Sequence, residues 1–313
     1  MVRPSIFLVL IVCVAAHPTA EAQPLWGYYL NGTLPYNTHT HYWDKTLTQL
    51  HTLCFTGITI SKSCTIPSFK SHTKLFAKAN QEHIQLLPHV TFTSVQSGLE
   101  FLTTQKYWEN TIHTLETFIK QYNCAGLHFD FEYLPPQYAA HYAQFLKKVR
   151  AIVTGKIISA AVFPQVDFNT HIAAFHDFTQ LSPYLDEIVL MCYDYHNPKT
   201  KPGPVTDIHW VKENVRYALH YFKPSQIWLG IPAYGYVWKN GKYHSVITML
   251  TVHRYKALYR NYRHHSGTLC LTYTKNNDHY IAYVPDEETL QKLKNIALSY
   301  SLKGVALWRL GFE

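Results

Sequence analysis

Short apolar runs alternate with longer stretches of helical period along most of the chain. The runs are Leu25 to Leu30, Thr52 to Ile58, Ile84 to Val90, Gly126 to Tyr133, Ile157 to Phe163, Glu187 to Asp194, Ile227 to Gly235 and Gly304 to Leu310. Their length and their β-branched and aromatic content predict strands. Turn signals close several of them, such as Asn31-Gly32 after the first and Pro164 after the fifth. Between them, Phe69 to Asn80, Tyr107 to Tyr122, Tyr138 to Ile152 and Glu287 to Ser299 repeat apolar residues at steps of three and four. That spacing predicts amphipathic helices, and Pro135-Pro136 sets the start of the third. Strand–helix alternation predicts an α/β fold with a parallel sheet, and eight units over this length suit a (β/α)8 TIM barrel.

The rhythm breaks once. Residues 237–285 hold two strand-like pieces, Thr268 to Tyr273 and Tyr280 to Val284, joined through Asn276-Asn277-Asp278. They predict a small insertion on the catalytic side that walls a groove. No internal repeat, low-complexity tract or linker interrupts the rest, so residues 23–313 read as one barrel domain. Only three residues follow Leu310, so something other than a final helix is expected to cover the eighth strand.

Residues 1–22 carry the pattern of a secretory signal: Arg3, an apolar run from Ile6 to Ala16, and Ala20-Glu21-Ala22 before Gln23. No run reaches the roughly 20 apolar residues of a membrane span. A secreted protein, extracellular or periplasmic, is expected. Cys54, Cys64, Cys124, Cys192 and Cys270 then remain, an odd set without metal-type spacing. Cys54, Cys124 and Cys192 lie in apolar strand patterns and are expected as buried thiols. The net charge of +8 either draws the protein to anionic surfaces such as bacterial cell wall or only aids solubility. Nucleic acid is not an expected partner, because no basic run or strand with interleaved aromatics and arginines is present. The 24 Tyr and 7 Trp suit sugar rings, whose CH faces pack on aromatic surface.

The chemistry concentrates in Gly126-Leu127-His128-Phe129-Asp130-Phe131-Glu132-Tyr133. Period two puts His128, Asp130 and Glu132 on one face and Leu127, Phe129 and Phe131 on the other. The two carboxylates then lie roughly 6–7 Å apart along the strand. Buried carboxylates are costly unless paired or used. Ionising Asp130 should hold the proton on Glu132, which keeps a general acid at neutral pH.

This stretch resembles the signature of the family 18 glycoside hydrolases, Asp-Gly-x-Asp-x-Asp-x-Glu on the fourth strand of a (β/α)8 barrel. The resemblance implies that Glu132 is the proton donor and that Asp130 orients and stabilises the substrate's N-acetyl group. Ala125 and His128 stand where the family has its earlier acids, so His128 enters the expected substrate-binding set in place of an Asp. Met191-Cys192-Tyr193-Asp194 resembles the family's Met-x-Tyr-Asp. It implies that Tyr193 hydrogen-bonds the N-acetyl carbonyl and that Asp194 contacts the reacting sugar. Trp308 matches the tryptophan that floors the reacting-sugar subsite. Tyr28 and Tyr234, at the ends of strands one and seven, are expected to line the same groove. Tyr193-Asp194-Tyr195-His196, Pro202-Gly203-Pro204-Val205 and Trp308-Arg309-Leu310-Gly311 look most like the branch with bacterial spore and cell-wall hydrolases.

The implied activity is retaining, substrate-assisted cleavage of a β-1,4 bond next to N-acetylglucosamine, in chitin oligomers or peptidoglycan glycan. The implied partner is that polysaccharide, the expected state is a monomer, and neither metal nor organic cofactor is needed. Two other readings compete. A non-catalytic carbohydrate-binding relative usually lacks the terminal Glu, which this chain keeps. A metal-dependent hydrolase could use His39-Thr40-His41 after the first strand, but strands five and six supply no His ligand and strand eight ends in Trp.

Overall fold

In the computed structural model, which describes residues 23–313, eight parallel strands close into a barrel. They are β1 (Leu25–Tyr29), β2 (Thr52–Ile60), β3 (Gln85–Phe92), β4 (Gly126–Phe129), β5 (Ile157–Val162), β6 (Glu187–Met191), β7 (Ile227–Pro232) and β8 (Gly304–Trp308). Each pairs with its sequence neighbours. The ring closes where β1 meets β2 through Trp26 and Thr52, and β8 through Leu25 and Val305. The secretory-signal pattern of residues 1–22 lies outside the described residues.

Alternation sorts the strands into two layers. Trp26, Tyr28, Cys54, Leu87, Val189, Trp228 and Ala306 fill the barrel interior, with the Trp26 and Trp228 rings 5.5 Å apart. Leu53, Phe55, Leu127, Phe129, Ile188 and Leu190 face outward and pack with the helices. Gly126 permits close contact between β4 and β5, since a Cβ there would sit 1.9 Å from the Ile157 carbonyl oxygen.

All four expected helices form, at 73–81, 108–121, 139–152 and 287–299. Further helices form where no repeat was read, among them Thr40–Leu47, Val95–Thr103 and Ile208–Ala218. Val95–Thr103 is started by Ser94, whose side chain accepts from Ser97 N. Ile208–Ala218 is started by Asp207, whose carboxylate accepts from the His209 and Trp210 amides. Both caps are of the ordinary kind.

Several strands end earlier than their apolar patterns. β4 stops at Phe129 rather than Tyr133, and β6 at Met191 rather than Asp194. The chain then bends away from its neighbours, and Tyr133 and Asp194 take left-handed φ values of 60° and 59°. Alternating side chains persist past the last ladder bond, so pattern alone overruns the barrel rim. β7 likewise ends at Pro232, and Tyr234–Lys239 begins a separate five-stranded antiparallel sheet. That sheet continues with Lys242–Thr248, Arg260–Arg263, Leu269–Lys275 and Asp278–Val284, with the helix Met249–Leu258 between its second and third strands.

The eighth strand is covered in two ways. The helix Glu287–Ser299 packs on β7 and β8, and Leu310 folds back over Gly27 while its amide donates to the Tyr28 carbonyl at 3.0 Å. The five cysteines among the described residues are free thiols, with Cys54, Cys124, Cys192 and Cys270 buried.

Candidate active site

A cavity of about 340 Å³ opens at the C-terminal ends of the barrel strands, at the low end of the size range of ligand pockets. Of the eight residues singled out in the sequence, seven line it: Tyr28, Asp130, Glu132, Tyr193, Asp194, Tyr234 and Trp308. Strands four and six deliver Asp130, Glu132, Tyr193 and Asp194 just past their last strand residues, and Trp308 ends strand eight, at the face where barrel enzymes carry their chemistry.

His128 does not line the cavity, which corrects its place in the substrate-binding set. It is fully buried, because the interior of the barrel closes over it. The Tyr28 hydroxyl meets its Nε2 at 2.8 Å and Ser159 Oγ meets its Nδ1 at 2.9 Å. Ser159 donates its own proton to the Leu127 carbonyl at 3.2 Å, so it accepts from His128 Nδ1–H. Nε2 is then bare and accepts from Tyr28. Burial first, and then the neighbouring His89, pull His128 down to about 3. A neutral ring matches that hydrogen-bond pattern.

The acids are held differently. Asp130 Oδ2 pairs with His89 Nε2 at 2.7 Å, and the Asp130 amide donates to the Val90 carbonyl. Oδ1 is buried without a hydrogen-bond partner. Burial alone raises the Asp130 carboxyl, but the hydrogen bond from His89 outweighs it and holds it below the usual carboxylate range. Glu132 goes the other way: burial raises it most, and the nearby Asp130 carboxylate raises it further. Two neighbouring acids are thereby split into one charged and one protonated group, the division general acid catalysis needs.

Asp194 turns its Oδ1 to two hydroxyls, Tyr234 at 2.5 Å and Tyr236 at 2.7 Å. Burial raises its carboxyl, and those two hydrogen bonds partly offset the rise. The Tyr193 hydroxyl makes no hydrogen bond among the described residues and is free to meet a ligand. Gly230 leaves it room, because a Cβ there would lie 3.1 Å from its ring. Trp308 lies edge-on to Tyr28 at 5.1 Å and forms an apolar floor. Tyr133, Phe163, Phe168, Ile172 and Met191 build an apolar wall, and Asn197, Pro198 and Lys199 form a polar rim.

Four of these positions escaped the sequence reading: His89, His176, Tyr236 and Asn197. His176 ties two loops behind the acids, since Nδ1 accepts from Phe163 N at 3.0 Å and Nε2 meets the Phe131 carbonyl at 2.9 Å. The Asn197 amide donates to the Asp194 carbonyl. The signal for His89 was a histidine inside an otherwise apolar strand, opposite His128 across the β3–β4 ladder. Among the described residues no group of three or more His, Cys, Asp or Glu could hold a metal ion, and His39 is a half-buried residue bonded to Thr38 and Pro35.

Comparison with known proteins follows the same geometry. The family model described as glycosyl hydrolases family 18 matches residues 27–313. An uncharacterised glycosylase, YvbX, of Bacillus subtilis is 27% identical over 212 residues, 64% of this chain and 61% of that protein. The cortical fragment-lytic enzyme of Bacillus anthracis is 24% identical over 248 residues, 72% of this chain and 57% of that protein. The chain thus spans about three fifths of the length of these curated relatives. The crystal structure of the spore cortex-lytic enzyme SleL of Bacillus cereus superposes with a TM-score of 0.83 at 18% identity, covering 93% of this chain and 71% of that one. A chitinase structure from Chromobacterium violaceum gives 0.83 at 18% identity, over 93% and 95% of the two chains.

Proposed function

We propose that this chain, which belongs to glycosyl hydrolase family 18, is a retaining glycosidase that cuts β-1,4 bonds beside N-acetylglucosamine. Glu132 gives its proton to the glycosidic oxygen as the C1–O bond breaks. The substrate's own acetamide oxygen attacks C1 from the opposite face and forms a cyclic intermediate. Tyr193 donates to the acetamide carbonyl, and Asp130 offsets the positive charge that develops on the ring. Glu132, now a carboxylate, takes a proton from water, which attacks C1 and restores the original configuration. Trp308 carries the apolar face of the reacting sugar.

One observation carries this reading: Asp130 and Glu132 line one groove, and His89 holds Asp130 from behind at 2.7 Å. The residues fit chitin oligomers and peptidoglycan glycan alike, and the names of the Bacillus relatives favour a spore-cortex glycan. The leader-like pattern of residues 1–22 supports action outside the cell. The proposed working unit is a monomer. Chitooligosaccharides and purified peptidoglycan are incubated in parallel with the protein, and new reducing ends are identified by mass. New N-acetylglucosamine ends from either substrate support the proposal. Absence of cleavage in both, with binding retained, makes the protein a lectin instead.

A further inference from the structure

We infer that His89 is a positioning residue: its Nε2–H holds Asp130 by one oxygen and so decides which of the two acids carries the shared proton. The inference rests on the proposed role of Glu132. Two carboxyls that share one groove titrate as a unit, and their single proton could reside on either. A fixed donor on one of them removes that ambiguity. His89 Nε2 lies 2.7 Å from Asp130 Oδ2, on a side chain only 7% exposed.

Hydrogen-bond accounting places the ring proton. His89 Nδ1 is buried without a partner. A bare acceptor left unpaired there is less costly than an N–H without an acceptor. The proton therefore belongs on Nε2, where Asp130 accepts it. Asp130 Oδ1, also without a partner, remains for Glu132 and for the charge that develops on the substrate.

The groups that act on Asp130 offer no rival donor of equal quality. Tyr28 spends its proton on His128, as the tautomer above requires, and His176 spends its Nε2 on the Phe131 carbonyl. Cys54 from β2 and Tyr142 from the helix 139–152 are kept un-ionised by burial. Tyr193 and Glu132 approach from the groove. No lysine or arginine pairs with Asp130 among the described residues.

The test compares His89→Phe, which keeps an aromatic ring and removes the donor, with His89→Gln, which keeps an N–H at similar reach. In His89→Phe the proton is found on either carboxyl, so kcat falls about 10- to 100-fold. The acid limb of the kcat/KM profile moves up by about one pH unit or more, because Asp130 holds its proton longer. His89→Gln should restore most of both. A purely structural role would lower the plateau and leave the limb in place, and that result overturns the inference. A measurement on the unmodified protein guards against a variant that does not fold. Ring 15N shifts of His89 should report a proton on Nε2 and none on Nδ1, and the reverse pattern also overturns the inference. If Glu132→Gln hydrolyses normally, the proposed function has failed; if it is inactive while the His89 limb stays fixed, only this inference has.

Discussion

Two buried acidic centres in this molecule are built on opposite plans. Asp286, 2% exposed, sits where the inserted sheet joins the barrel. Arg263 grips it with both Nη atoms at 2.7 Å, Lys256 adds a contact at 3.3 Å, and the Thr289 amide donates to it as a helix cap. Burial opposes ionisation of Asp286, and those partners more than reverse it. At the groove, Asp130, Glu132 and Asp194 share one small space, and among the described residues no lysine or arginine pairs with any of them. Histidine and tyrosine donors hold two of these acids, and the third keeps its proton. Cations make an acid inert and permanently charged; neutral donors leave it able to exchange a proton.

The largest effect should separate the two centres outright. Glu132→Gln should lose about 10²–10⁴ in kcat and gain a few degrees in Tm. The sign follows from linkage: the folded state binds the Glu132 proton more tightly than the unfolded chain, so this group costs stability once the pH exceeds its ordinary range. Asp286→Asn should do the reverse, with kcat unchanged and stability lowered by about 2–3 kcal/mol as Arg263 loses its charged partner. Loss of activity in Asp286→Asn would join the two centres and break the contrast.

Smaller effects sharpen it. His128 is lowered to about 3 and His176 to about 4, both chiefly by burial. Their unfolded values are higher, so the unfolded chain takes up protons first as the pH falls. Stability should drop by about 1.4 kcal/mol per pH unit for each, starting near pH 6.5 and ending near the folded value. In Tm measured against pH, His128→Gln should flatten that slope. Tyr236→Phe removes one of two donors to Asp194 and should lower kcat/KM about three- to tenfold on short oligosaccharides. The same change should leave Tm within a degree or two.

The barrel and most of its site were legible in the chain, and the failures have physical causes. Repeating apolar runs revealed the eight strands because each buries both faces. They did not show where each ladder ends, since side chains go on alternating through Asp130 to Glu132 after the backbone has left its neighbours. Ile227 to Gly235 read as one strand, although the chain changes sheets at Ala233. Asn240-Gly241 is a strong hairpin signal and takes the two left-handed residues such a turn needs, φ 49° and 78°. It could have disclosed the first hairpin of the inserted sheet. The helix 208–218 was equally readable from Trp210, Val211, Asn214, Val215 and Ala218. Glu132 and Asp130 stood out because two acids interrupt an apolar strand. His89 and Tyr236 act through partners 41 and 42 residues away; His89 stands out only as a histidine in an apolar strand, and nothing local marks Tyr236 among 24 Tyr.

Tyr234 and Tyr236 belong to the opening strand of the inserted sheet, yet both donate to Asp194 from the barrel. A redesign that trims this lobe to obtain a minimal scaffold would strip a catalytic-face carboxylate of its two donors. A graft that moves the lobe onto another barrel would have to bring both phenols into register. The sheet is therefore a working part of the site, and shuffled chimeras should be cut before Tyr234 rather than after it.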